Sequence, residues 1–124
     1  MIKCKSEQVF TEKYNYVLAA GSNVLWFVKA RTGEVILVRS LSIYNSSQAN
    51  TAACYKLLKR RGITHRLNYV AAINAGVVQE WATPVYMIDG DEVGIEVTPN
   101  AAGDNIEVTI QGLRLRNDEY FKAT

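Results

Sequence analysis

Histidine occurs once in these 124 residues, and cysteine and proline twice each. The single histidine, His65, has no cysteine or acid at ligand spacing, so a structural or surface role is expected and no metal site. Cys4 and Cys54 have neither CxxC spacing nor a histidine cluster near them. They are expected as free thiols, with Cys54 acting as a small apolar residue. No stretch approaches the roughly 18 apolar residues that a membrane helix needs. No apolar segment follows Lys3 and Lys5, so no secretory signal is expected, and the chain should be made in a reducing compartment. An excess of one charge is also missing: 14 Lys and Arg face 12 Asp and Glu, for a net +2. A dedicated nucleic-acid binder carries a stronger basic balance. No GxSxG elbow occurs, and the serines fall in turns and on strand faces. Neither a catalytic residue nor a cofactor is expected.

What is present suffices for a core. Hydrophobic residues make up 48% of the chain and charged ones 21%, too apolar for disorder. A chain of this length buries roughly two thirds of its unfolded surface without metals or disulfides. One soluble domain spanning 1–124 is expected, with an N-terminal arm over 1–12 and a C-terminal tail over 114–124.

Turn signals recur at short intervals: Gly21-Ser22-Asn23, Thr32-Gly33-Glu34, Asn45-Ser46-Ser47, Arg61-Gly62, Asn74-Ala75-Gly76, Asp89-Gly90-Asp91 and residues 100–105. That spacing marks an all-β sandwich or barrel. Between the turns, apolar residues alternate with period two. Tyr14, Tyr16 and Leu18 share one face of a first strand, with Asn15 and Val17 on the other. Residues 24–30 form an apolar run of the kind a central strand needs. In 35–44, Leu41 and Ile43 oppose Ser40 and Ser42. Val93, Ile95 and Val97 alternate with Gly94 and Glu96, and Ile106, Val108 and Ile110 with Glu107, Thr109 and Gln111. The expected fold is a single-domain antiparallel β-sandwich, jelly-roll-like, with about eight strands and extended termini.

Residues 50–62 conflict with this pattern. Asn50 can cap a helix, Gly62 can close it, and good helix formers lie between. As a strand, the same segment would face Ala53, Tyr55 and Leu57 to the core, opposite Cys54, Lys56 and Leu58. The all-β surroundings lean the reading to strand.

Three features remain as candidates. Asp89-Gly90-Asp91-Glu92 lacks the twelve-residue calcium pattern and reads as a turn kept in water by charge. Lys56, Lys59, Arg60, Arg61 and Arg66 form the densest basic patch, with Tyr55 and Tyr69 near it. Such interleaving can hold single-stranded nucleic acid, but a protected edge strand or a protein contact is the expected role. At the ends, Val9 and Phe10, then Arg114, Arg116, Tyr120 and Phe121, offer anchors for a neighbouring subunit, with packing on the parent domain as the alternative.

The order of these features resembles small β-sandwich virion proteins of tailed bacteriophages. The likeness rests on the strand ending Leu18-Ala19-Ala20-Gly21, the Asn45-Ser46-Ser47 turn, the Gly90-Asp91 corner in Val85–Val93, and the closing Ile106–Leu113 strand. It spans roughly residues 14–113, and the basic 56–61 stretch departs from it. The resemblance implies a capsid decoration or cement protein on the outside of the virion, made in the host cytoplasm. It implies a dimer or trimer contacting the major capsid protein, with no membrane and no specific nucleic acid as partner. The alternatives are a tail, neck or host-attachment component, or a carbohydrate- or nucleic-acid-binding β-module using Trp26, Trp81, Tyr55 and the basic patch.

Overall fold

A computed structural model describes residues 6–45, 52–73, 78–99 and 103–116. Period-two alternation is realised as strands β1 (Ser6–Val17), β2 (Asn23–Lys29), β3 (Glu34–Asn45), β4 (Ala52–Arg60) and β5 (Ile63–Ile73). Then follow β6 (Val78–Trp81), β7 (Val85–Ile88), β8 (Glu92–Pro99) and β9 (Asn105–Arg116). All pairings are antiparallel. One sheet runs β1-β9-β3-β6, with β7 also on β3, and the other runs β2-β8-β4-β5. Strands β6 and β7 pair with successive halves of β3, so they act as one edge strand broken at Ala82-Thr83-Pro84.

Eight strand positions in two sheets match the expected sandwich. The chain changes sheet at every connection except the β4–β5 hairpin and the β6–β7 break, which is jelly-roll connectivity. Local chemistry makes the corners. Buried Asn23 accepts from the Ala19 amide at 3.0 Å and donates to the carbonyls of Ala19, Gly21 and Val97, fixing the β1–β2 crossing. At the β7–β8 corner Asp89 and Gly90 both take positive φ, 31° and 90°. The Asp91 amide closes that corner onto the Ile88 carbonyl at 3.0 Å. Here the Asp-Gly pair does what its type favours.

The core fills the space between the sheets with Ile36, Val38, Leu41 and Ile43 of β3 against Val93, Ile95 and Val97 of β8. Ile106, Val108 and Ile110 of β9 join them, as their alternation requires. Cys54 is buried here as a free thiol, and burial pushes its pKa up.

Three expectations change. The 24–30 run is not central: β2 is the edge of its sheet, and its apolar content reflects one core-facing row (Leu25, Val28) plus an outward Trp26. Residues 52–60 are strand, but with the opposite face inward: Ala52, Cys54 and Leu58 join the core, and Lys56 is fully buried. A one-residue change of phase exchanges every side chain between faces. The basic strand is no edge either, since β4 lies between β8 and β5. Of the expected arm and tail, residues 6–12 and 114–116 lie in β1 and β9, paired along the first sheet. Residues 1–5 and 117–124 lie outside the described residues.

Candidate functional site

The basic patch is dispersed by the fold. Lys56 points between the sheets and donates through Nζ to the Thr83 carbonyl, at the break of the opposite edge strand, at 2.9 Å. Burial lowers its pKa from 10.5, because desolvation disfavours the ammonium. Its ammonium is thus engaged inside the chain rather than displayed on the surface. Arg60 lies on the same inward phase at the end of β4 and reaches β7. It donates to the Asp91 carboxylate and to the Tyr86 carbonyl, each at 2.9 Å. Asp91 also accepts from the Ile88 amide at 3.0 Å. Burial alone would raise its carboxyl. The hydrogen bonds from Arg60 and Ile88, with the charges of Arg60 and Arg61, hold it below the ordinary carboxylate value. Arg61 takes positive φ (52°) in the β4–β5 turn and is exposed.

Lys59 and Arg66 belong to the other side of the second sheet. The Lys59 ammonium lies 5.4 Å from the Trp26 ring centroid. Arg66 stacks over Tyr55 at 4.6 Å and donates two hydrogen bonds to one Glu96 carboxylate oxygen, at 3.2 and 3.0 Å. Five cations adjacent in sequence thus serve three separate places.

The ends are also split. Val9 is 75% exposed, whereas Phe10 is buried with the Arg114 guanidinium 5.3 Å over its ring. Arg114 bridges Glu34 at 3.2 Å and Glu12 at 3.6 Å, so it ties β1, β3 and β9 together. Glu12 also accepts from the Tyr14 hydroxyl. Burial, then that bond and the Glu12 charge, push the hydroxyl up to about 12. Phe10 and Arg114 are therefore engaged within the sheet. Arg116 ends β9 opposite Ser6 and Glu34. Tyr120 and Phe121 lie outside the described residues.

Two surfaces emerge instead. At the open side of the sandwich, where β5 and β7 are the facing edges, a groove is lined by Leu67, Pro84, Val85 and Tyr86 with Arg60 at its end. Tyr86 and Ile88 are exposed there. Residues 85–88 are apolar on both faces although the strand is at an edge; that both-sided run was the sequence signal for this surface. The second surface is the outer face of β2-β8-β4-β5. Its register sets Trp26, Gly94, Leu57 and Arg66 in one row, and Val24, Glu96, Tyr55 and Tyr69 in the next. Trp81, grouped in sequence with Trp26 and Tyr55, is instead in the core. Among the described residues, no group of three or more His, Cys, Asp or Glu side chains is placed to hold a metal ion. No described helix is long and apolar enough to cross a membrane.

No protein-family model matches the sequence, and no curated protein matches it. Solved structures do. A chain in the structure of infectious bursal disease virus, Gx strain, superposes with a TM-score of 0.50 at 12% identity, covering 94% of this chain and 34% of that one. A chain in the crystal structure of the T13 particle of the same virus covers 98% of this chain and 42% of its own, at 10% identity and a TM-score of 0.42. This protein thus spans about a third of the length of the viral chain it best superposes on among these two. At such identity the first likeness establishes a common fold: the β-sandwich found here is one also built by a chain of a viral particle.

Proposed function

We propose that this protein is a structural component of a virion, a jelly-roll subunit of the decoration or cement kind on the outer surface of a tailed-phage capsid. The observation that carries the reading is the fold likeness to a viral-particle chain over 94% of this chain. The open-side surface supports it. Tyr86 and Ile88 are exposed apolar side chains beside Arg60 and Arg61, a combination suited to a protein partner. Val9 adds an exposed apolar contact on the first sheet. In this reading the partners are the major capsid protein and further copies of the chain, as a dimer or trimer. A shell repeats one epitope many times, so an oligomer that engages several shell subunits binds tightly through modest individual contacts.

The test is co-sedimentation of the purified chain with capsids stripped of their outer proteins, together with its mass in solution by light scattering. Saturable binding to the shell by an oligomer is the expected result. A monomer that stays in the supernatant at every capsid concentration overturns the proposal. Substituting Tyr86→Ser and Ile88→Ser together should weaken capsid binding at least about tenfold while the fold is retained.

A further inference from the structure

The outer face of the second sheet carries a cleft outside the surface proposed for capsid attachment. Its lining is Val24, Leu57, Thr64, His65, Arg66 and Glu96, around about 530 Å³. Gly94 shapes it. A Cβ there would fall 2.6 Å from Trp26 Cε3, so the missing side chain is what lets the indole lie down across the sheet. Leu57, paired opposite Gly94, becomes a covered apolar floor at 1% exposure on a face that otherwise meets water. Val24 adds an exposed apolar wall.

The polar groups are held before any ligand arrives. Glu96 accepts both bonds from Arg66 and a third from the Ser22 hydroxyl at 2.9 Å. Arg66 is fixed further by its stack on Tyr55. Tyr55 in turn packs on Tyr69, with ring centroids 4.6 Å apart, and Tyr69 keeps 53% of its surface exposed beside the cleft. The result is a fixed carboxylate acceptor, a fixed guanidinium donor, a threonine hydroxyl and an imidazole around an apolar floor, flanked by an open aromatic ring.

We infer that this cleft is a binding site for a neutral saccharide. The chemistry selects that class. A pyranose presents hydroxyls that both donate and accept, matching adjacent guanidinium and carboxylate groups, and a C–H face that packs on apolar and aromatic surface. A polyanion is disfavoured because the Arg66 charge is already met by Glu96, and a phosphate there would have to sit against that carboxylate. The inference stands apart from the capsid contact proposed above: the cleft shares no lining residue with the open-side surface, so either can fail alone.

The experiment is an amide NMR titration of the full chain with the methyl glycosides of glucose, galactose, mannose and N-acetylglucosamine, each to about 50 mM. At least one should shift the amides of Val24, Leu57, Thr64 and Glu96, with a Kd on the order of 1 mM. Arg66→Ala should weaken that binding about tenfold, and Glu96→Gln should weaken it independently should the first variant fail to fold. Thr11→Ala, on the far sheet, should leave it unchanged. The inference is overturned if none of the four sugars shifts these amides, or if the shifts map elsewhere. It is equally overturned if a short oligothymidylate binds at these residues and is lost with salt while the sugars do not bind.

Discussion

The ammonium of Lys56 crosses the sandwich to the main-chain oxygen of Thr83, 2.9 Å away. It joins the middle of one sheet to the point where the other sheet's edge strand is broken. The four-carbon stem fills core volume, and the head meets a carbonyl freed by the β6–β7 interruption. Lys56 shares the inward row of β4 with Cys54 and Leu58, which leaves Tyr55, Leu57 and Lys59 on the outer side of the sheet.

Lys56→Ala should cost about 2–4 kcal/mol by leaving a cavity, whereas Lys56→Met, which keeps the stem, should lie within about 1 kcal/mol of wild type. The pH dependence separates stem from charge. The folded-state pKa lies below the ordinary 10.5, so between those values the unfolded chain binds the extra proton and stability rises with pH. Urea unfolding followed as pH rises toward 10.5 should show wild type gaining on Lys56→Met. A constant difference across that range contradicts the buried ammonium.

Arg60 and Asp91 close the exposed edge of β7, with the guanidinium on the Tyr86 carbonyl and the carboxylate on the Ile88 amide. Asp91→Asn should destabilise the fold by about 1–3 kcal/mol at neutral pH. The Asp91 carboxyl titrates below 3.8 in the folded chain, so its contribution is complete above that value and declines as pH falls through the folded pKa. Acid unfolding followed by circular dichroism should therefore find the two proteins converging as pH falls below 3.8. Arg60→Ala should additionally leave the edge uncovered and raise self-association in sedimentation velocity runs.

Gly94→Ala should be among the more damaging small substitutions. The added methyl would meet the Leu25 carbonyl oxygen at 2.2 Å as well as the Trp26 ring, and the backbone cannot yield as a side chain does. A loss of about 2–3 kcal/mol is expected, with a shift of Trp26 fluorescence as the indole leaves the sheet. A neutral effect with unchanged emission would refute the close packing of Trp26 on β8.

Much of the architecture was legible in the chain. The alternation in 93–97 and 106–110 named the inward rows correctly because a half-buried strand must repeat every two residues. The Asp89-Gly90 and Arg61-Gly62 turns were marked by glycines, and both Gly62 and Gly90 take positive φ. The contact surfaces were less legible. Lys56 looks like a surface residue in sequence, since nothing nearby announces a carbonyl 27 positions away. Phe10 and Arg114 could be read as anchors for a neighbour or for the parent domain, and only the full-length β1–β9 pairing shows them partnered within one sheet.

Sequence by itself determined that this protein is built of antiparallel strands, and that Arg61-Gly62 and Asp89-Gly90 turn the chain. Those properties depend on a residue and its neighbours within a few positions. Tertiary structure alone decided which strands are edges, which face of β4 is dry, and that Arg66 meets Glu96 over an apolar floor. Strand order and phase arise from pairings between distant segments. Buried polar groups choose the one arrangement in which each finds a partner, as Lys56 does at Thr83.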